Sequence, residues 1–307
     1  MSDTARRSGL GLGYFEALAA ASLWGSSGIF AVHLFRIGVP PESLALLRPL
    51  VGVGFLIAYP LLTSPETLRI DARGILIVGV GGGAVIGLFQ LAYQLSTDAV
   101  GVPTTVALLY LAPAVVVAAA GPLFREWPTP TRVALVALTL TGVWLSVLGA
   151  DDVSATFGTT GLVWGVLAGV SYGAYTLFGR FAAPRFGSAR TVLYSTIGSC
   201  LMLAIAVPVM SGPVVLPPSP RAWLLLLVFG LLTIAVAHFL FFDALARIEA
   251  SRASIATSIE PVVAVVLATL LLGQGLSPIG WLGIALVVAG VVGVGLTGNR
   301  AHAPTQP

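Results

Sequence analysis

Leu224-Leu225-Leu226-Leu227-Val228-Phe229-Gly230-Leu231-Leu232 is an unbroken apolar stretch without polar alternation. A membrane β-strand would alternate lipid-facing apolar with lumen-facing polar residues over about ten positions. This stretch does not, and neither does Ala114–Ala120. Extended in both directions, the run fills residues 222–245. As a helix it is long enough for the hydrocarbon core, which takes about 20 residues to cross. The reading is therefore helical and intramembrane.

Nine more such runs lie near residues 13–35, 42–62, 74–95, 101–121, 132–149, 160–180, 190–211, 253–272 and 278–297. Short polar or proline-bearing connectors divide them, such as Thr63-Ser64-Pro65-Glu66 and Pro217-Pro218-Ser219-Pro220. The fold class expected is all-α integral membrane with ten transmembrane helices. Composition agrees: of 307 residues, 57% are hydrophobic and 9% charged, and mean hydropathy is +1.00. Soluble domains carry about 25% charged residues. A soluble enzyme, a disordered chain and a nucleic-acid binder are excluded. The single cysteine, Cys200, leaves no intrachain disulfide and no cysteine-based metal site. No cofactor is implied. All 15 basic residues are arginine, which reads as the composition of a GC-rich bacterial genome. Arg6 and Arg7 precede a first span rather than a cleaved signal.

Arginine placement orients the chain. With a cytoplasmic N-terminus, twelve arginines fall in inner segments, Arg36 and Arg221 in outer ones, and Arg48 within the second span. Residues 1–13 and 298–307 are then cytoplasmic tails.

A shift of 148 residues aligns the two halves without a gap. Trp24-Gly25 falls on Tyr172-Gly173, Gly82 on Gly230, Gln90 on His238, Tyr93 on Phe241, Pro113 on Pro261 and Gly142 on Gly290. Five spans per repeat is an odd number, so the second repeat crosses in the opposite sense. A five-plus-five inverted repeat places a substrate site near the midplane between the halves. This is transporter architecture.

Phe241–Ser254 (FFDALARIEASRAS), then Ser258-Ile259-Glu260-Pro261-Val262-Val263-Ala264, then Leu270–Gly273 resemble the C-terminal repeat of the EamA family of drug/metabolite transporters. Leu23-Trp24-Gly25-Ser26-Ser27, Leu46-Leu47-Arg48 and Tyr110–Val115 are looser echoes in the first half. The resemblance covers residues 14–149 and 161–297, one five-helix repeat each. It implies ten helices, cytoplasmic termini in a bacterial inner membrane, and transport of small metabolites, with many members exporting amino acids. Gln274 departs from the glutamate common after Leu-Leu-Gly, in an outer loop.

An ionisable side chain at mid-membrane costs about 2.5–3.5 kcal/mol on the insertion scale and is a site candidate by default. Arg48, His238 and Glu260 qualify by depth. Glu260 precedes Pro261, whose missing N–H frees the Thr257 carbonyl. It could bind a substrate amine or a proton, or pair structurally with an arginine such as Arg247. His238 and its repeat mate Gln90 could face a shared cavity, with Tyr93 one turn from Gln90. Arg48 could hold a substrate carboxylate. Its place six residues from the outer end favours snorkelling outward instead. Asp243 and Arg247, four apart, read as a helix-surface pair or gate element. Trp24, Tyr110, Tyr172 and Tyr175 lie inside spans and could line the cavity. Trp127, Trp223 and Trp281 sit at span ends as interface anchors. The glycines Gly79, Gly81, Gly82, Gly83 and Gly87 form a small-residue packing face.

No ATP-binding loop is present, so a transporter would run on a gradient, with protons a candidate. The partners expected are a small-molecule substrate and the lipid bilayer, without nucleic acid; a monomer suffices, since both repeats are present. A channel or scaffold subunit would need a polar stripe or charge ring. An intramembrane enzyme would need a motif such as G-x-S-x-G or H-E-x-x-H. The sequence has no H-E-x-x-H, and its G-x-S-x-G match, Gly169–Gly173, lies inside a continuous apolar run rather than at a strand-to-helix turn.

Overall fold

The computed structural model describes residues 3–149, 159–272 and 277–298. The expected C-terminal tail, Gln274 and most of the loop between the repeats lie outside them. Helices, including 3₁₀ and π turns, make up the regular structure of the described residues, and the protein is an integral, multi-pass membrane protein.

The first span is α1 (Asp3–Gly25) and α2 (Ser27–Arg36), broken at Ser26. Residues expected as an N-terminal tail are helical from Asp3. The second is α3 (Pro41–Thr63). The third joins α4 (Ala72–Gly74), a π-helical stretch Ile75–Gly82, and the start of α5 (Gly83–Leu109). Helix α5 continues into the fourth span, but it cannot be straight. Ser96 Oγ lies 2.8 Å from Thr105 Oγ1, nine residues on. A straight helix would separate them by about 13 Å along its axis, so the chain doubles back between them. Helix α6 (Ala112–Phe124) completes the fourth span and α7 (Pro130–Leu148) is the fifth.

The second repeat runs α8 (Thr159–Phe186), α9 (Ser188–Ser211), then α10 (Pro220–Gly230), a π-helical stretch Leu231–Val236 and α11 (Ala237–Arg247) as the eighth span. The ninth is α12 (Ala250–Thr257) and α13 (Glu260–Leu272), and the tenth α14 (Pro278–Gly298).

The fourth and ninth spans break at matching places, Tyr110-Leu111 and Ser258-Ile259. Each break ends just before the residue preceding a proline of the aligned pair, Pro113 or Pro261. A proline donates no N–H and clashes with the carbonyl four residues back. Those carbonyls belong to Leu109 and Thr257, and there α5 and α12 end.

Packing repeats the symmetry. The first span packs on the eighth, and its mate, the sixth, on the third. The fifth packs along the tenth. A methyl added at Gly25 would come 2.9 Å from Val263 Cβ, and one at Gly173 2.9 Å from Val115 Cβ. Val263 and Val115 are themselves repeat mates. Of the third span's glycines, Gly82, Gly83 and Gly87 pack closely, an added methyl meeting Phe178 at 2.6 Å, the backbone of Gly198 at 2.7 Å and Met202 at 2.6 Å, whereas Gly81 is exposed and lies outside the expected packing face. With no hydrophobic drive between helices in lipid, such close approach holds the bundle together. The architecture is ten spans in a five-plus-five inverted repeat.

Candidate functional site

A cavity of about 170 Å³ opens between the repeats. Its wall includes Trp24, Arg48, Gln90, Tyr93, Tyr172, Tyr175, His238 and Glu260. At ~30 Å³ per water in the liquid, this is room for a compact solute on the order of six waters in bulk.

The cavity runs from its centre along α2. Ser27, Gly28, Ala31 and Phe35 line it at helical spacing, and Leu44 and Phe229 face them. Opposite this opening the chain is shut: Ala17, Ala20 and Ala21 are fully buried, and an added methyl at Gly13 would meet Ile248 at 2.9 Å.

An aromatic cluster forms the cavity's closed end. The Trp24 ring centroid lies 5.3 Å from His238, 5.2 Å from Phe241 and 6.2 Å from its repeat mate Tyr172, each edge-on. Trp24 Nε1 donates to the Thr233 carbonyl at 2.9 Å, and His238 Nδ1 lies 2.9 Å from the same oxygen. A carbonyl only accepts, so Nδ1 carries the proton and Nε2 of the neutral ring is an acceptor. Thr233 sits in the second π-helical stretch, and such irregular turns are frequent at functional sites.

Arg48 does not snorkel. Its Nη2 donates to Gln90 Oε1 at 3.1 Å, and its Cζ stands 5.1 Å over the Phe229 ring. Gln90 and the ring hold the guanidinium in the cavity wall, which corrects the outward reading. Arg247 pairs with Asp243 at 2.7 Å and Glu16 at 3.6 Å. It is therefore not the partner of Glu260. Across the cavity Arg48 and Glu260 interact through their charges. Among the described residues, neither joins an ion pair.

Tyr110 is not in the cavity wall. It is buried one layer behind, against Val143, Val262 and Val287. Its hydroxyl and that of Tyr172 lie within electrostatic range of Glu260, but neither closes a hydrogen bond of ordinary length. The Tyr175 hydroxyl is likewise buried without a partner. A buried hydroxyl left unsatisfied costs about 1–3 kcal/mol.

Sequence reasoning missed Phe35, Phe89 and Phe229, since apolar residues in an apolar span carry no signal of facing a cavity. It also missed Glu16, which depth alone would have flagged near the inner end of the first span. Trp127, Trp223 and Trp281 are exposed, as interface anchors would be.

Known proteins match this chain over most of its length. The EamA-like transporter family model matches residues 11–148 and again 159–296. The uncharacterized inner membrane transporter YicL of Salmonella typhimurium is 25% identical over 300 residues, covering 94% of this chain and 96% of the relative. The threonine/homoserine exporter RhtA of Escherichia coli K12 is 28% identical over 286 residues, covering 91% and 90%. A solved crystal structure with 19% identity superposes with a TM-score of 0.81 over 95% of this chain and 99% of its own, a likeness of fold. With both halves matched by one family model and the same two halves enclosing the cavity, the chain belongs to the EamA-like transporter family.

Proposed function

We propose that this membrane transporter exports a small zwitterion, an amino acid or a similar amphipathic metabolite, by alternating access. The observation that carries the reading is the pair Arg48 and Glu260. They come from opposite repeats, face one cavity, and neutralise neither each other nor any described neighbour by direct contact. Uncompensated charges in a bundle interior are costly. A zwitterion would supply both missing partners, its carboxylate on the Arg48 guanidinium and its ammonium on the Glu260 carboxylate. The aromatic cluster of Trp24, Tyr172 and Tyr175 would hold its apolar part, and His238 Nε2 and Gln90 would take further polar groups. The full-length similarity to a threonine/homoserine exporter supports this class.

The arginine bias supports cytoplasmic termini in a bacterial inner membrane, with residues 14–149 and 161–297 as the moving halves. Protons are the coupling ion we favour, with Glu260 as carrier. No catalytic role is assigned to any residue.

Solute counterflow in proteoliposomes, with labelled amino acids, nucleobases and sugars, tests the reading without knowledge of the coupling ion. Saturable amino-acid uptake is expected. Charged hydrogen bonds contribute about 1.5–3 kcal/mol, so Arg48→Gln and Glu260→Gln should each cut uptake by roughly 10–100-fold. Uptake that is confined to uncharged solutes, or unchanged in both variants, would overturn it.

A further inference from the structure

The end of the molecule opposite the cavity mouth carries every ion pair among the described residues, and three of them cross between the repeats. Arg180 Nε donates to Glu126 Oε1 at 3.0 Å. Arg132 Nη2 donates to Glu249 Oε2 at 2.7 Å. Arg247 stands 3.6 Å from Glu16. In each, one partner belongs to the first repeat and the other to the second. Further bonds lock the pairs to backbone and neighbours. Glu126 Oε2 accepts the Ala250 N–H at 3.1 Å, at the start of α12, and Arg180 Nη1 donates to the Leu245 carbonyl at 3.0 Å. Arg252 donates to Glu249 at 2.7 Å and to Tyr14 at 3.4 Å, and Ser188 holds Asp243 at 2.9 Å.

One partner of each pair is well shielded, while Arg180, Glu249 and Arg247 are 26%, 30% and 32% exposed. The Glu126, Glu16 and Arg132 side chains are 6%, 8% and 12% exposed, so salt screens these half-buried pairs less than fully exposed ones. The repeat partner of this end has no equivalent. Shifted by 148 residues, Glu16 becomes Trp164, Arg180 becomes Val32, Arg132 becomes Gly280, Arg247 becomes Ala99 and Glu249 becomes Gly101. Arg36, Glu42 and Arg221, near the mouth, join no ion pair among the described residues. The two ends of an inverted repeat close by related packing, so charges present at one end alone bias the exchange between them.

We infer that Glu126–Arg180, Arg132–Glu249 and Glu16–Arg247 form an ionic latch between the repeats that sets which side the cavity opens to. Resting on the alternating-access reading above, the latch holds the state seen here, open along α2 and shut at α1, and opening the other end requires the three pairs to part together. The closed-mouth state, with no equivalent of these three pairs, is held by packing.

Cysteine labelling of the full chain in liposomes, in a Cys200→Ser background, tests this. Gly28→Cys reports the mouth, where an added side chain meets open space. Ala17→Cys reports the latched end, where the parent residue is fully buried. In the parent, an impermeant maleimide should modify the first and spare the second. Glu126→Gln with Glu249→Gln should raise the Ala17→Cys rate at least tenfold and lower the Gly28→Cys rate several-fold. The swap Glu126→Arg with Arg180→Glu should restore the parental pattern. Unchanged rates at both positions, or a rise at both, would overturn the latch, the second outcome being general loosening. If the double variant is not monodisperse, Arg180→Gln read in the same way decides. Parental counterflow that fails across the solute panel would sink the transport reading, while the labelling pattern still judges the latch.

Discussion

The first and sixth spans occupy equivalent places in the two repeats, yet the first lines the cavity along α2, whereas the sixth reaches it through Tyr172 and Tyr175 and is packed shut beyond them. Ser27, Gly28, Ala31 and Phe35 face the cavity. Their repeat mates Tyr175, Thr176, Gly179 and Ala183 are all buried, and an added methyl at Gly179 would come 2.8 Å from the Phe242 ring. The first span is broken at Ser26, whereas α8 runs unbroken through the matching Ala174. The local cause is legible. Ser26 Oγ donates back to the Leu23 carbonyl at 2.6 Å, between Gly25 and Gly28. Serine back-bonding and Gly/Ser neighbours bend helices, and alanine at 174 cannot do the same. The two repeats thus hold the same element in two arrangements. Helix α2 is the arm that lines the cavity, and the matching second half of α8, with Gly179 against Phe242 of α11, is the same arm packed.

The sharpest way to break that comparison is to add the same side chain to both members of one aligned pair. Ala31→Leu should leave the fold intact and fill the mouth, lowering counterflow by at least tenfold with little change in Tm. Gly179→Leu should instead overpack α8 against α11, at a cost of about 1–3 kcal/mol, and show as a lower Tm and poorer yield. Equal effects at the two positions would mean that the cavity asymmetry is not a property of the folded protein in its membrane.

A smaller effect sharpens the comparison where the repeats agree. Gly25 would place a methyl 2.7 Å from the Glu260 carbonyl oxygen, and Gly173 would place one 2.8 Å from Val115. Gly25→Ala and Gly173→Ala should therefore destabilise by similar amounts, about 1–3 kcal/mol each. Thermal unfolding of the two variants side by side checks this, and a difference well above that spread would break the packing symmetry.

The smallest effect concerns charge at the latched end. Burial raises the Glu249 carboxyl, but the Arg252 hydrogen bond and the charges of Arg252, Arg132 and Arg180 outweigh it and hold it below its ordinary value. Its stabilisation is complete above the unfolded value near about 4.3 and is lost as pH falls through the lower folded value. Glu126 goes the other way: burial pushes it up against the pull of Arg180. Its ionisation in the folded state is disfavoured, so stability declines as pH rises from about 4.3 through its raised value. Tm measured from pH 3 to 7 should show a shallower acid limb in Glu249→Gln and a higher neutral plateau, relative to the acid end, in Glu126→Gln. Identical profiles in both variants would remove these carboxylates from the stability of that end.

Several elements could be read directly from residue order. Continuous apolar runs dictate helices, because lipid offers backbone groups no partner outside the chain. The aligned prolines 113 and 261 dictate the two helix breaks, since a missing N–H is a local fact. Three ionisable residues within apolar spans advertised themselves by their insertion cost. The direction a side chain takes is a different matter. Arg48 lies near enough to the outer end to snorkel, and only Gln90 and Phe229, from other spans, turn it inward. Tyr175 and Tyr110 look alike as tyrosines within apolar spans, yet the first lines the cavity and the second stands behind it.

What the sequence determined by itself was the number of spans, their inverted repetition and the chemistry available at mid-membrane. All of these follow from hydropathy, local backbone rules and a constant offset of 148 residues. What only the tertiary structure decided was which end is open and which charges meet. The same element lines the cavity in one half and is packed in the other, and the Glu126–Arg180 partners lie 54 residues apart in the chain. Contacts of that kind depend on how helices pack across the pseudo-symmetry axis, and no local pattern records them.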